Sequence, residues 1–255
     1  MTTRTLTHPV AGPVAFDARS CAANIEVVVT DTRHATVTIS TPDTDGPSHE
    51  AVTSARLEHR TGVLAAEVRD QDATGGITIV GRGNGVTISA LSIGRNVSIT
   101  GSRVFVDGAE VTDTLTRHAP VTVRAELPRG SEVKATTESG EIATSGPLKQ
   151  AGARTVSGAV RIGQAEVATA ITTSGSVEIG RAGSAITRTV SGATLIDHAE
   201  CADTDSISGA VTIREITVDA IARTISGDIA IWHSGRQTPS TSTVSGRVHV
   251  TAVRR

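Results

Sequence analysis

The chain has 255 residues, a formal net charge of −2, 38% hydrophobic residues, two Phe, one Trp, no Tyr and one Met. A balance so near neutrality excludes the strong positive field by which a surface gathers nucleic acid or anionic lipid. With so few aromatics and 25 Gly, the core has to be built from Val, Ile, Ala and other small residues. That composition favours thin stacked strands joined by frequent turns over a bulky centre.

The opening segment, MTTRTLTHPVAGPVAF, carries no apolar stretch of the secretory kind, and no run of about 20 apolar residues follows that could span a bilayer. The expectation is a cytoplasmic protein with no membrane insertion. Two cysteines, Cys21 and Cys201, form neither a disulfide framework nor a zinc pattern.

In chain order, 25–29 and 35–39 read as paired strands around a turn at Asp31-Thr32-Arg33. A loop at 41–47 leads to one short helix, capped by Ser48 and running to about Ser54. Short strands follow at 77–79, 86–88, 97–99 and 104–106, as irregular rungs or a hairpin insertion. Gly81-Arg-Gly-Asn-Gly85 lacks the spacing of a phosphate-binding loop, and no helix follows it, so it reads as a turn. A joint near 112–120 divides a strand-rich region, 1–120, from a regular repeat, 121–255, within one continuous domain.

The repeat is carried by Ser139-Gly140, Ser157-Gly158, Ser174-Gly175, Ser191-Gly192, Ser208-Gly209, Ser226-Gly227 and Ser245-Gly246, spaced 18, 17, 17, 17, 18 and 19 residues apart. A period that short marks a solenoid, whose units bury their apolar faces only by stacking. The template is Thr-Val-Ser-Gly-x-Val-x-Ile, which alternates with period two. Extrapolating that alternation points the Val, Gly, Val and Ile positions inward and leaves Thr and Ser as outward ladders. The glycine is expected where a side chain would crowd the stack. Val167, Cys201 and Val218, ten residues after their serines, suggest a second inward strand, with Cys201 a small buried hydrophobe. The fold class is all-β, a parallel β-helix or β-solenoid with 17–19-residue rungs behind an irregular N-terminal part.

From Val123 to Ile142, a strand ending Leu127-Pro-Arg-Gly-Ser131 leads into the Thr-x-Ser-Gly-x-Val repeats. In this the chain resembles the bacterial putative-adhesin β-solenoids, a family of unknown function, over about 121–250. The resemblance implies the fold and carries no catalytic residue to transfer. Many members are anchored or exported, so it also implies an alternative reading as a surface ligand-binding protein.

Candidate chemistry is sparse. Asp197, His198, Glu200, Cys201, Asp203 and Asp205 have metal-binding side chains, but their spacing fits a solvated corner better than a standard site. Gly146, Gln164, Arg181, His198, Glu215 and His233, each six residues after a repeat glycine, are expected to stack as a surface ladder. No repeated carboxylate pair suggests glycoside chemistry, which leaves a carbohydrate-active β-helix enzyme as the weaker alternative. The Thr-x-Ser ladder is also similar to flat ice-binding faces. No catalytic, cofactor-binding or metal residue is assigned. The expectation is a non-catalytic scaffold or interaction module that forms a homo-oligomer or meets a protein partner. Its last strand, 247–253, carries only Arg254-Arg255 beyond it to blunt an edge, and Trp232 is expected to cover an end or sit in an interface.

Overall fold

A computed structural model describes residues 1–60, 62–69, 119–234 and 238–253, together with the backbone of the short strands between 77 and 110. The Ser-Gly repeat becomes a stack of bent strands. β14 (Ile142–Arg154), β15 (Val160–Thr172), β16 (Val177–Ser191), β17 (Thr194–Ser208) and β18 (Val211–Ser226) pair in parallel, with Ile142, Val160, Val177, Thr194 and Val211 in register. Each strand turns a corner and serves two faces. The first half of β18 pairs with β19 (Ile229–His233), and its second half with β20 (Ser240–Ser245). β21 (Val248–Ala252) completes the first face against β19.

The two faces pack large side chains against small ones. Ile162, Ile179, Ile196, Ile213 and Ile231 form a buried column on the first face. The second face contributes Ala168, Ala185, Ala202 and Ala220, all buried. Burying each Ile is worth roughly 1.5–3 kcal/mol by transfer, and the alanines let the faces close without aromatic filling.

The stack continues into the N-terminal region with strands out of chain order. On the first face, β3 (Asn24–Thr30) lies between β12 (Thr122–Pro128) and β14, parallel to both. On the second, β13 (Glu132–Thr136) pairs with β14, then β2 (Ala15–Ser20) with β13, then β6 (Val63–Val68) with β2, all parallel. Antiparallel strands finish this end: β4 (Thr36–Thr41) beside β12, β1 (Thr2–Thr7) beside β4, and β5 (Arg56–Arg60) beside β6. Helix α1 (Gly46–Ser54) buries Ala51 and Val52 and packs against β1, β4 and β6, touching strands of both faces.

Two N-terminal expectations are corrected. β3 and β4 are strands but not partners, because β12 occupies the slot between them and buries Val123, Ala125 and Leu127 there. Ser48 does not cap the helix. Asp45 stands at the N-cap and Pro47 in the first turn, where its missing N–H costs nothing. Ser48 is buried, and its hydroxyl donates to the Ala119 carbonyl at 2.8 Å.

Between 77 and 110 the strands are antiparallel, as hairpins and not rungs. β7 (Ile77–Arg82) pairs with β8 (Gly85–Ala90). β10 (Arg103–Val106) pairs with β9 (Val97–Thr100) and β11 (Ala109–Glu110). The turn expected within Gly81–Gly85 has its two central residues outside the described residues, as do most of the joint at 112–120 and the pair Arg254-Arg255.

Candidate functional site

The Ser-Gly corner is built by close backbone approach. A Cβ added at Gly158 would press into the carbonyl oxygen of Gly140, and one at Gly175 into that of Gly158; the same holds up the column to Gly246. Only glycine permits that stacking distance. The column begins at Ala23, whose carbonyl lies under Gly140. Ser20-Cys21-Ala22-Ala23 is therefore a first rung that the Ser-Gly signature missed. Its signal lay in Ile25 and Val27, which fall in register with Ile142 and Thr144.

The chain bends at this corner, and the bend breaks the alternation. Thr137, Thr155, Thr172, Thr189 and Thr224 are buried, while Val156, Val190, Ile207, Ile225 and Val244 are 43–83% exposed. The expected inward Val and outward Thr are thus reversed. Thr155 continues the inward parity of Ala151 and Ala153 on the arm before it, not that of Val160 on the arm after. Its hydroxyl accepts a hydrogen bond from Gly158 N at 3.0 Å, and Thr137 and Thr172 accept equivalent bonds from Gly140 and Gly175. A hydroxyl so placed substitutes for a backbone partner at the turn. The outward threonine ladder on which an ice-binding face depends is not formed at this corner.

The second inward column is also corrected. Val167 and Val218 are exposed, and Cys201 is exposed as well. Cys201 stands opposite Ser184 and Asp219, on the outside of the other corner. Burial there belongs to Ala165, Ala182, Ala199 and Ile216.

That second corner carries a concavity of about 610 Å³. Gly146 turns the chain with φ +86°, in the left-handed region that favours glycine. Gln164, Arg181 and His198 stack in register along one wall, as the ladder reading expected. At its ends the ladder shifts: Pro147 rather than Gly146 faces Gln164, and His233 faces Ile216 rather than Glu215. Lys149, Glu166 and Glu200 edge the other wall. Much of this charge is already committed. Lys149 Nζ donates to Glu132 at 2.7 Å, and His198 Nδ1 lies 3.3 Å from Glu215 Oε2. The Glu132 hydrogen bond holds the Lys149 ammonium above its usual range. Among the described residues Arg181 has no ion-pair partner.

The acidic segment 197–205 does not converge. β17 carries Asp197 on one face and Asp203 and Asp205 on the other, with the corner between them. Asp197 accepts from Arg214 at 2.8 Å and Asp205 from Arg223 at 3.2 Å. Among the described residues no group of three His, Cys, Asp or Glu is placed to hold a metal. Trp232 stands over the outer side of the last rung, its ring edge-on to His249 at 6.3 Å. Among the described residues no helix is long and apolar enough to cross a membrane.

Parallel rungs, a glycine corner and a small-residue core define this chain as a β-solenoid. The same architecture is found in a putative adhesin from Bacteroides fragilis NCTC 9343, with TM-score 0.50 and 12% identity over 99% of this chain and 97% of that one. A putative adhesin from Parabacteroides merdae ATCC 43184 (TM-score 0.46, 9% identity) and a putative lipid binding protein from Parabacteroides distasonis ATCC 8503 (0.48, 13%) have the same coverage. At 12% identity the likeness to the Bacteroides fragilis protein is one of fold alone. No protein-family model matches the chain, and no curated protein matches it.

Proposed function

We propose that this protein is a non-catalytic β-solenoid scaffold that self-associates. The observation that carries the reading is the line of exposed Val and Ile side chains on the Ser-Gly corner, at Val156, Val190, Ile207, Ile225 and Val244. Repeated apolar exposure of this kind, rimmed by polar residues, marks an interaction surface. The solenoid supplies a continuous support in which each rung is held by its neighbours. Light scattering across a wide concentration range tests the reading. A mass that rises toward a multiple of 26.1 kDa supports it, and a strict monomer overturns it.

A second reading, ligand binding at a cell surface, is favoured by one observation: Arg181 stands in the corner groove without an ion-pair partner among the described residues. Fractionation separates the two. A cytoplasmic pool supports the scaffold, and a surface-exposed pool supports the adhesin-like alternative.

A further inference from the structure

Seven positions stack along the Ser-Gly corner: Glu138, Val156, Thr173, Val190, Ile207, Ile225 and Val244. Backbone hydrogen bonds from Val156 N to Glu138 O, Thr173 N to Val156 O and Ser191 N to Thr173 O hold the first rungs together. Strand register continues the column, with Thr189 opposite Ser206, then Ser206 opposite Thr224, and Thr224 opposite Thr243. At about 4.8 Å per rung the row is about 29 Å long.

Within the row only Glu138, at one end, is charged. Its five middle members are Val, Thr, Val, Ile and Ile. The exposed serines beside them add hydroxyls, and on the far side Ala159, Ser176, Ala193 and Ala210 follow the glycines of four middle rungs, while Glu141, Asp228 and Arg247 follow Gly140, Gly227 and Gly246. Glu138 stands exposed at one end, and Arg247, three residues beyond Val244, stands exposed at the other. Among the described residues neither side chain has an ion-pair partner. The flanks are charged and already paired: Arg188 and Arg223 both contact Asp205 on one side, and Arg161 joins Glu141 and Glu178 on the other. An apolar centre with a polar rim is the anatomy of a protein interface.

Resting on the self-association reading, we infer that this row is an isologous dimer interface, in which two copies pack corner to corner with their solenoid axes antiparallel. Val190 is the fourth of the seven positions, so the two-fold axis passes beside it and sets Val190 against the partner's Val190. The antiparallel arrangement brings Glu138 to the partner's Arg247, twice. The parallel alternative sets Glu138 against Glu138 and Arg247 against Arg247, and repulsion disfavours it. A closed two-fold contact uses the row up, so the assembly stops at two copies. The apolar strip is narrower than the standard interface of about 800 Å² per partner. The dimer is accordingly reversible and dissociates on dilution.

Sedimentation of the full-length chain tests the inference, with circular dichroism confirming the fold of each variant. Ile207→Glu, a change at an exposed position, is expected to give a monomer. Glu138→Arg and Arg247→Glu are each expected to weaken the dimer by about tenfold, two symmetric ion pairs being lost, and their combination to restore it. In a Cys21→Ser, Cys201→Ser background, Val190→Cys is expected to form a disulfide-linked dimer on mild oxidation, whereas Cys at Glu138 alone is not. A wild-type dimer that persists in Ile207→Glu and fails to cross-link through Val190→Cys overturns this interface while leaving self-association standing. A strictly monomeric wild-type chain overturns both.

Discussion

Thr155 Oγ1 accepts a hydrogen bond from Gly158 N at 3.0 Å, inside a corner whose next rung repeats the bond from Gly175 N to Thr172. The threonine is thus a turn-forming residue at Thr137, Thr155 and Thr172, whereas Thr189 and Thr224 are buried at the same place in the repeat with no hydrogen-bond partner. Thr155→Val keeps the shape and strands the Gly158 amide, at a cost of about 1–3 kcal/mol, whereas Thr155→Ser retains most of the bond. Thr187 gives the opposite case: it is fully buried, and its hydroxyl has no hydrogen-bond partner. Thr187→Val is expected to be neutral or to stabilise by about 1 kcal/mol. Urea midpoints of the three variants decide the matter, and equal effects of the two valine substitutions would refute the assignment.

The glycines divide in the same way. Gly175→Ala drives a methyl into the Gly158 carbonyl and is expected to cost 1–3 kcal/mol or more, on the order of other overpacking changes. At Gly152 the nearest atom to an added Cβ is 3.6 Å away, an ordinary contact. Gly152→Ala is expected to stabilise by about 0.4–1 kcal/mol, because it narrows the unfolded ensemble. Thermal unfolding of both variants checks the contrast.

Cys201 is exposed and Cys21 half-buried. A thiol reagent added to the folded protein is expected to modify Cys201 at the rate of a small accessible thiol, with Cys21 slower. If Cys201 reacts only after denaturant is added, the outer-corner placement is wrong.

One pH dependence follows from the end of the stack. A hydrogen bond from Arg69 at 2.8 Å holds the Glu67 carboxyl below its usual range, against a smaller opposing effect of desolvation. A depressed carboxylate contributes stability that is present above its unfolded value and is lost as pH falls through the folded one. The pair is exposed, so the contribution is small and salt-screened. The stability difference between wild type and Glu67→Gln is expected to shrink in acid and again in 1 M salt. A difference that ignores both would assign Glu67 a packing role.

The sequence made the stack legible through its glycines, because the close approach that demands Gly at 158 and 175 leaves no other residue to take its place. The inward side chains after most of the repeat glycines followed from alternation, as at Val160 and Ile162, although Val248 on the last rung is exposed. The same rule failed at Thr155 and Val156, one bend away, since alternation carries no phase through a corner. Gln164, Arg181 and His198 were found as a ladder because they share a repeat phase, but their lying in a groove depends on the turn at the second corner. Asp197 and Asp205 looked like neighbours in sequence and are held apart because a single strand serves two faces.

β3 lies between β12 and β14, although about a hundred residues of chain separate it from either. The regular rungs need only close loops of 17 to 19 residues, while this strand must wait for partners synthesised much later. Seating it is then the slow, entropically demanding step of assembly. A truncation that removes β3 also differs in kind from one that trims a terminal rung. It withdraws a strand from the interior of a sheet, parts β12 from β14, and leaves two raw edges facing each other across a gap one strand wide.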